Sequence, residues 1–110
     1  MGFASSLPNK ATPSGDVCVH TSVGAWYATW GRLYKVNGNT PVQQFNWLPV
    51  GQTYKFTNVT NDETIQWGAD IGVAGVPQVV GQNVQLGDTI NVVGSIGDPH
   101  VVSYTPDTCK

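Results

Sequence analysis

Few groups in this 110-residue chain are placed to do chemistry, and their spacing limits what each can do. Cys18 and Cys109 bracket nearly the whole chain and lack the CxxC spacing of a zinc ribbon or a redox motif. They are expected to form one structural disulfide, which removes both thiols from catalysis. Closing so long a loop stabilises a fold by about 4 kcal/mol in the chain-entropy model. His20 and His100 have no Glu-x-x-His spacing, no nucleophile elbow and no carboxylate placed to pair with either, so no enzymatic activity is expected. Asn61, Asp62 and Glu63 offer too few oxygen ligands for a calcium loop and read as a solvated turn. No metal site and no cofactor are expected. Asn58-Val59-Thr60 is the chain's single N-glycosylation sequon.

The tryptophans point to binding instead. An exposed indole can cover the face of a sugar ring while neighbouring Asn and Gln bind its hydroxyls. Trp47 and Trp67 fall mid-strand, where one face must be buried, and are expected in the core. Trp26 and Trp30, spaced by four, share a strand face and form the candidate aromatic platform. Nucleic acid is excluded as a partner. The formal charge is -2, and Lys10, Arg32, Lys35, Lys55 and Lys110 cannot supply a row of phosphate contacts. No apolar run approaches the ~20 residues that span a bilayer, and residues 1–7 lack the basic start and apolar core of a signal peptide. The expectation is a secreted, extracellular protein whose signal has already been removed.

Positioning falls to β-strands. Residues 1–15 carry prolines, serines and glycines without apolar periodicity and read as a flexible N-terminal arm. Residues 16–110 form one β-sandwich domain. Val17, Val19, Thr21 and Val23 alternate with polar positions, the period of a half-buried strand. Residues 25–36 are aromatic and β-branched and end at Asn37-Gly38-Asn39-Thr40, a strong hairpin signal. Further strands are expected at residues 42–48, with Phe45 and Trp47 on one face, and at 53–59, 64–69, 78–86, 89–93 and 100–104. No window offers helical spacing. The fold class is therefore all-β, an antiparallel two-sheet sandwich of seven to nine strands, immunoglobulin-like in outline.

In such an arrangement successive connections fall at opposite ends. One end would gather Ala25, Val50, Ile71, Val73, Val76, Ser95 and Ile96 on four loops. Loops are normally polar because water must satisfy their backbone, so an apolar loop cluster reads as a docking tip. The other end would gather residues 37–40, 60–63 and a turn at 81–83 or 86–88. If both of these are turns, a strand is added and the last loop changes ends. Alternatively, Ile71, Val73 and Val76 form a short buried edge strand and Ile96 folds over the core.

The stretch from Val19 to Trp30, with Tyr34 beyond, resembles the segment reading roughly HSGAYVAQYYITW in the C-terminal domain of thiol-activated, cholesterol-dependent cytolysins. Thr89 to Val101 is similar to that domain's closing TISIWGTTLYPQV, and order and spacing agree over most of residues 16–104. The resemblance implies a β-sandwich of about this length whose tip loops meet a membrane or, in some members, a glycan or protein receptor. The family's tryptophan-rich tip loop with a cysteine corresponds to Asp70 to Gln78 here, which has neither residue type. Its sterol-recognising Thr-Leu pair corresponds to Ser95-Ile96 or Ile96-Gly97. Sterol binding is thus not implied, and with the pore-forming domains missing from this stretch neither is pore formation.

Together these readings give a non-enzymatic secreted module that recognises a membrane surface, a glycan or a protein receptor through its apolar tip loops. A rival is a self-assembling structural protein, a homo-oligomer or filament joined through low-charge strand faces. A toxin-like or effector protein is the third possibility.

Overall fold

A computed structural model describes residues 13–25, 27–69, 75–93 and 100–109. It contains strands β1 (Ser14–Thr21), β2 (Thr29–Tyr34), β3 (Gln43–Leu48), β4 (Thr53–Thr60), β5 (Thr64–Ala69), β6 (Val76–Val79), β7 (Thr89–Val93) and β8 (His100–Thr105). They form two four-stranded sheets, ordered β4-β1-β7-β8 and β3-β2-β5-β6, so the expected sandwich is present. Every pairing is antiparallel except that of β1 with β7, which is parallel. β1 begins before the expected boundary at Asp16, because Ser14 and Gly15 already pair with Thr60 and Val59. β2 (Thr29–Tyr34) is shorter than the strand expected over residues 25–36.

The core lies between the sheets and follows the period-two alternation of their strands. Val17 and Val19 from β1, Phe56 and Val59 from β4, and Ile90 and Val92 from β7 meet Leu33, Phe45, Ile65 and Trp67 from the other sheet. The rings of Phe45, Tyr54 and Phe56 pack at centroid separations of 4.7, 5.8 and 4.9 Å, bridging the two sheets. Near one end of the core, the buried hydroxyls of Thr21 and Thr29 lie 2.6 Å apart, and Thr21 also donates to the Leu48 carbonyl. The expected hairpin joins β2 to β3. Asn37 takes the left-handed conformation (φ 60°), and the Gly38 amide donates to the Lys35 carbonyl.

The disulfide joins Cys18 and Cys109, with Cα atoms 5.3 Å apart. It does not link neighbouring first and last strands, because β7 lies between β1 and β8. Cys18 alternates with the core residues Val17 and Val19 and so faces outward. The C-terminal segment crosses β7 to reach it: the amides of Thr108 and Cys109 donate to the Gly87 carbonyl, and Thr108 meets the Thr89 hydroxyl at 2.6 Å.

The edge strands share one property among the described residues. The three register shifts fall on β3, β4 and β8, where two residues face one on the partner strand. The fourth edge strand, β6, contains Pro77, which has no amide to offer a ladder. On β3 the bulge changes the expected facing. Asn46 and Trp47 together oppose Trp30, so Phe45 and Leu48 are buried while Trp47 is 64% exposed. Trp47 is therefore not a core residue and does not share a face with Phe45.

Two further expectations are corrected. The strand expected at residues 78–86 is instead β6 (Val76–Val79), followed by a turn with positive φ at Gly81 and a Val80–Val84 bridge. Glu63 is not in a solvated turn but is 2% exposed. Its carboxylate accepts the Thr60 amide at 3.0 Å and pairs with Lys35 at 3.3 Å.

Candidate functional site

Of the expected tip residues, Ile71, Val73, Ser95 and Ile96 lie outside the described residues, as does Trp26 of the expected platform. Val50 is 44% exposed and Ala25 half-buried on loops at the same end, where Val23 is 83% exposed. Val76 is not a tip residue: it belongs to β6 and packs against the core. The opposite end is not purely polar either, since Val36 and Val42 are 54% and 50% exposed there. Apolar exposure therefore does not single out one end among the described residues.

The outer face of the β3-β2-β5-β6 sheet is more distinctive. Alternation along β2 buries Thr29, Gly31 and Leu33 and turns Trp30, Arg32 and Tyr34 outward. Across β5 they stand opposite Gly68, Gln66 and Thr64 respectively. Two glycines create the seat for Trp30. A Cβ at Gly68 would lie 2.6 Å from the indole and one at Gly75 2.5 Å from it, so only hydrogen side chains let the ring approach the sheet so closely. The Arg32 guanidinium carbon sits 4.7 Å from the Trp30 ring centroid, a cation–π distance. Arg32 also points an amino group at the Asn46 amide oxygen, 3.5 Å away. Exposed Trp47 stands beside Asn46 in the bulge.

Farther along β2 this face runs into a cleft of about 410 Å³ lined by Tyr34, Lys35, Asn37, Asn39, Gln66 and Pro77. That volume falls within the range of small-molecule sites. Gln66 links the two regions. Its side chain, like the Trp30 ring, approaches the position of a Cβ on Gly75, and it also lines the cleft. Indole faces, a guanidinium, amides, a phenol and an ammonium can stack on a ring and exchange hydrogen bonds with hydroxyls.

The outer face of the other sheet differs in how its polar groups are used. A shallower space of about 300 Å³ lies among His20, Thr53, Thr89, Asn91, Thr105 and Thr108. These side chains largely bond one another: His20 Nδ1 meets the Thr53 hydroxyl at 2.8 Å, and Asn91 donates to Thr105 at 2.8 Å. Among the described residues no group of three or more His, Cys, Asp or Glu gathers as a metal site.

Trp30, half of the expected aromatic pair, lies on the outer side of its strand. Strand parity carries no signal of the bulge that turns Trp47 outward, and the approach of Gly75 to Trp30 depends on tertiary structure. Comparison of the chain with protein-family models, curated protein sequences and solved structures returns no match.

Proposed function

We propose that the protein is a non-enzymatic extracellular module that binds a glycan along the outer face of the β3-β2-β5-β6 sheet. The observation that carries this reading is the Trp30 indole seated on Gly68 and Gly75 and flanked by Arg32, with exposed Trp47 opposite it in the register of the β3 bulge. A half-buried indole on an outer sheet face can stack on a sugar ring, and its neighbours supply the donors and acceptors that fix the sugar's orientation. Continuity through Gln66 into the Tyr34 to Asn39 cleft favours an extended oligosaccharide over a single ring.

The interrupted edges support a module that stays separate over one that builds filaments. Edge strands are templates for adding another chain, and bulges or prolines obstruct that addition. A protein receptor is the outcome indicated if a glycan array is blank and a cell-surface pull-down is protease-sensitive. Membrane docking through the end bearing Val23 and Val50 is the outcome indicated if the protein co-sediments with phosphatidylcholine vesicles.

The deciding experiment is a glycan array followed by calorimetric titration of any hit. Binding that falls at least tenfold in Trp47→Ala and Trp30→Ala, with melting temperature preserved in Trp47→Ala, supports the reading. Undiminished binding by both variants would move the site elsewhere.

A further inference from the structure

We propose that Asn58 carries an N-linked glycan in the secreted protein. Asn58-Val59-Thr60 supplies the acceptor amide and the hydroxyl residue two positions on. The fold presents that amide at a specific place. On edge strand β4, Thr57 and Asn58 together face Asp16, because Gly15 pairs with Val59 while Val17 pairs with Phe56. Asn58 is the residue in this bulge with positive φ, 55°, a conformation Asn tolerates better than most residues. Val59 is fully buried and anchors the strand, while Asn58 is exposed. A sugar chain can therefore project from this position without displacing a core side chain.

The modification joins the Asn58 side-chain nitrogen to the anomeric carbon of a lipid diphosphate-linked oligosaccharide. The lipid diphosphate leaves and the amide loses one proton. The donor is met in the secretory pathway, the oxidising route in which Cys18 and Cys109 also pair. Asn58 belongs to the sheet opposite the Trp30 platform, so its glycan leaves the proposed binding face open. It also covers the bulged β4 edge, adding a steric barrier to strand addition.

The test is intact mass of the protein secreted by its own source or by eukaryotic cells, before and after treatment with peptide-N-glycosidase. A carbohydrate mass increment that the enzyme removes is expected. Asn58→Gln should lack it, Thr60→Ala should lack it without altering the bulge residue, and Thr60→Ser should retain it. An unmodified mass from both sources, or an increment that survives Asn58→Gln, overturns the proposal. Neither result depends on whether the platform binds sugar.

Discussion

The Tyr104 hydroxyl donates to the Gln78 side-chain oxygen, tying β8 of one sheet to β6 of the other. The opposite side of the sandwich has a matching tie: the Gln43 amide donates to the Thr57 carbonyl at 2.6 Å and accepts the Thr57 amide at 3.0 Å. A glutamine thus joins the edge strands of the two sheets on each side. The Gln43 pair satisfies the Thr57 backbone groups that the β4 edge would otherwise present to another chain.

Tyr104 is expected to make stability pH-dependent in alkali. Burial, and secondarily the Asp88 carboxylate, raise the Tyr104 pKa above its ordinary value of 10.0. The folded chain therefore holds this proton more tightly than the unfolded chain. The contribution is complete below the unfolded value and is lost as pH rises through the higher folded value. Tyr104→Phe should lower stability by about 1 kcal/mol at neutral pH and should melt with a shallower alkaline slope than the parent. Thermal melts across the alkaline range check this, and equal slopes would count against it.

Replacing Cys18 and Cys109 together by serine should reduce the unfolding free energy by about 4 kcal/mol in the chain-entropy model. The tie closes a sequence separation of 91 residues. It also pins the C-terminal segment across β7, so amide exchange at positions 108 and 109 should accelerate first. Urea denaturation gives the global loss and hydrogen exchange the local one. A double variant as stable as the parent would show that the unfolded chain gains little freedom when the bridge is removed.

Trp47 and Trp67 should respond oppositely to truncation. Trp67 is fully buried, and Trp67→Ala is expected to cost about 3–5 kcal/mol through lost packing and a residual cavity. Trp47 is 64% exposed, so Trp47→Ala should change stability by no more than about 0.5 kcal/mol. Denaturant midpoints for the two variants suffice, and a large loss for Trp47→Ala would show that its ring is held by packing.

Val50→Asp and Val76→Asp form a second contrast. Val50 is 44% exposed, whereas Val76 packs against the core. The first substitution should leave the melting temperature nearly unchanged. The second should lower it by the equivalent of about 2 kcal/mol or more, because the carboxylate is placed against apolar side chains. Comparable melting for both would place Val76 outside the core.

These contrasts show which features were legible from sequence. Alternation at Val17 and Val19, the Asn37-Gly38 turn and the isolated Cys18–Cys109 pair are local or one-dimensional signals, and they led to the correct fold class and disulfide. Trp47 and Glu63 depart from the sequence reading for two physical reasons, whereas Val76 follows the edge-strand alternative. A bulge inserts one residue and changes facing without a composition signal, and a carboxylate can be buried when a distant lysine and a local amide satisfy it. The platform was half legible, since Trp30 follows from alternation but its glycine seat requires knowing that β5 is its neighbour.

That seat gives a final test, because two glycines on the same sheet support different rings with different freedom. A Cβ at Gly31 would run into the Phe45 ring, inside the core. Phe45 is 8% exposed and has little room to yield, so Gly31→Ala should cost about 1–3 kcal/mol through overpacking. A Cβ at Gly68 would meet the Trp30 indole at 2.6 Å, on the outer face. That ring can lift toward solvent, so Gly68→Ala should cost less stability than Gly31→Ala but move the indole off the sheet and away from Arg32. Its expected signature is altered tryptophan fluorescence together with at least fivefold weaker glycan binding. Unchanged fluorescence and binding in a folded Gly68→Ala protein would mean that the seat does not position the platform.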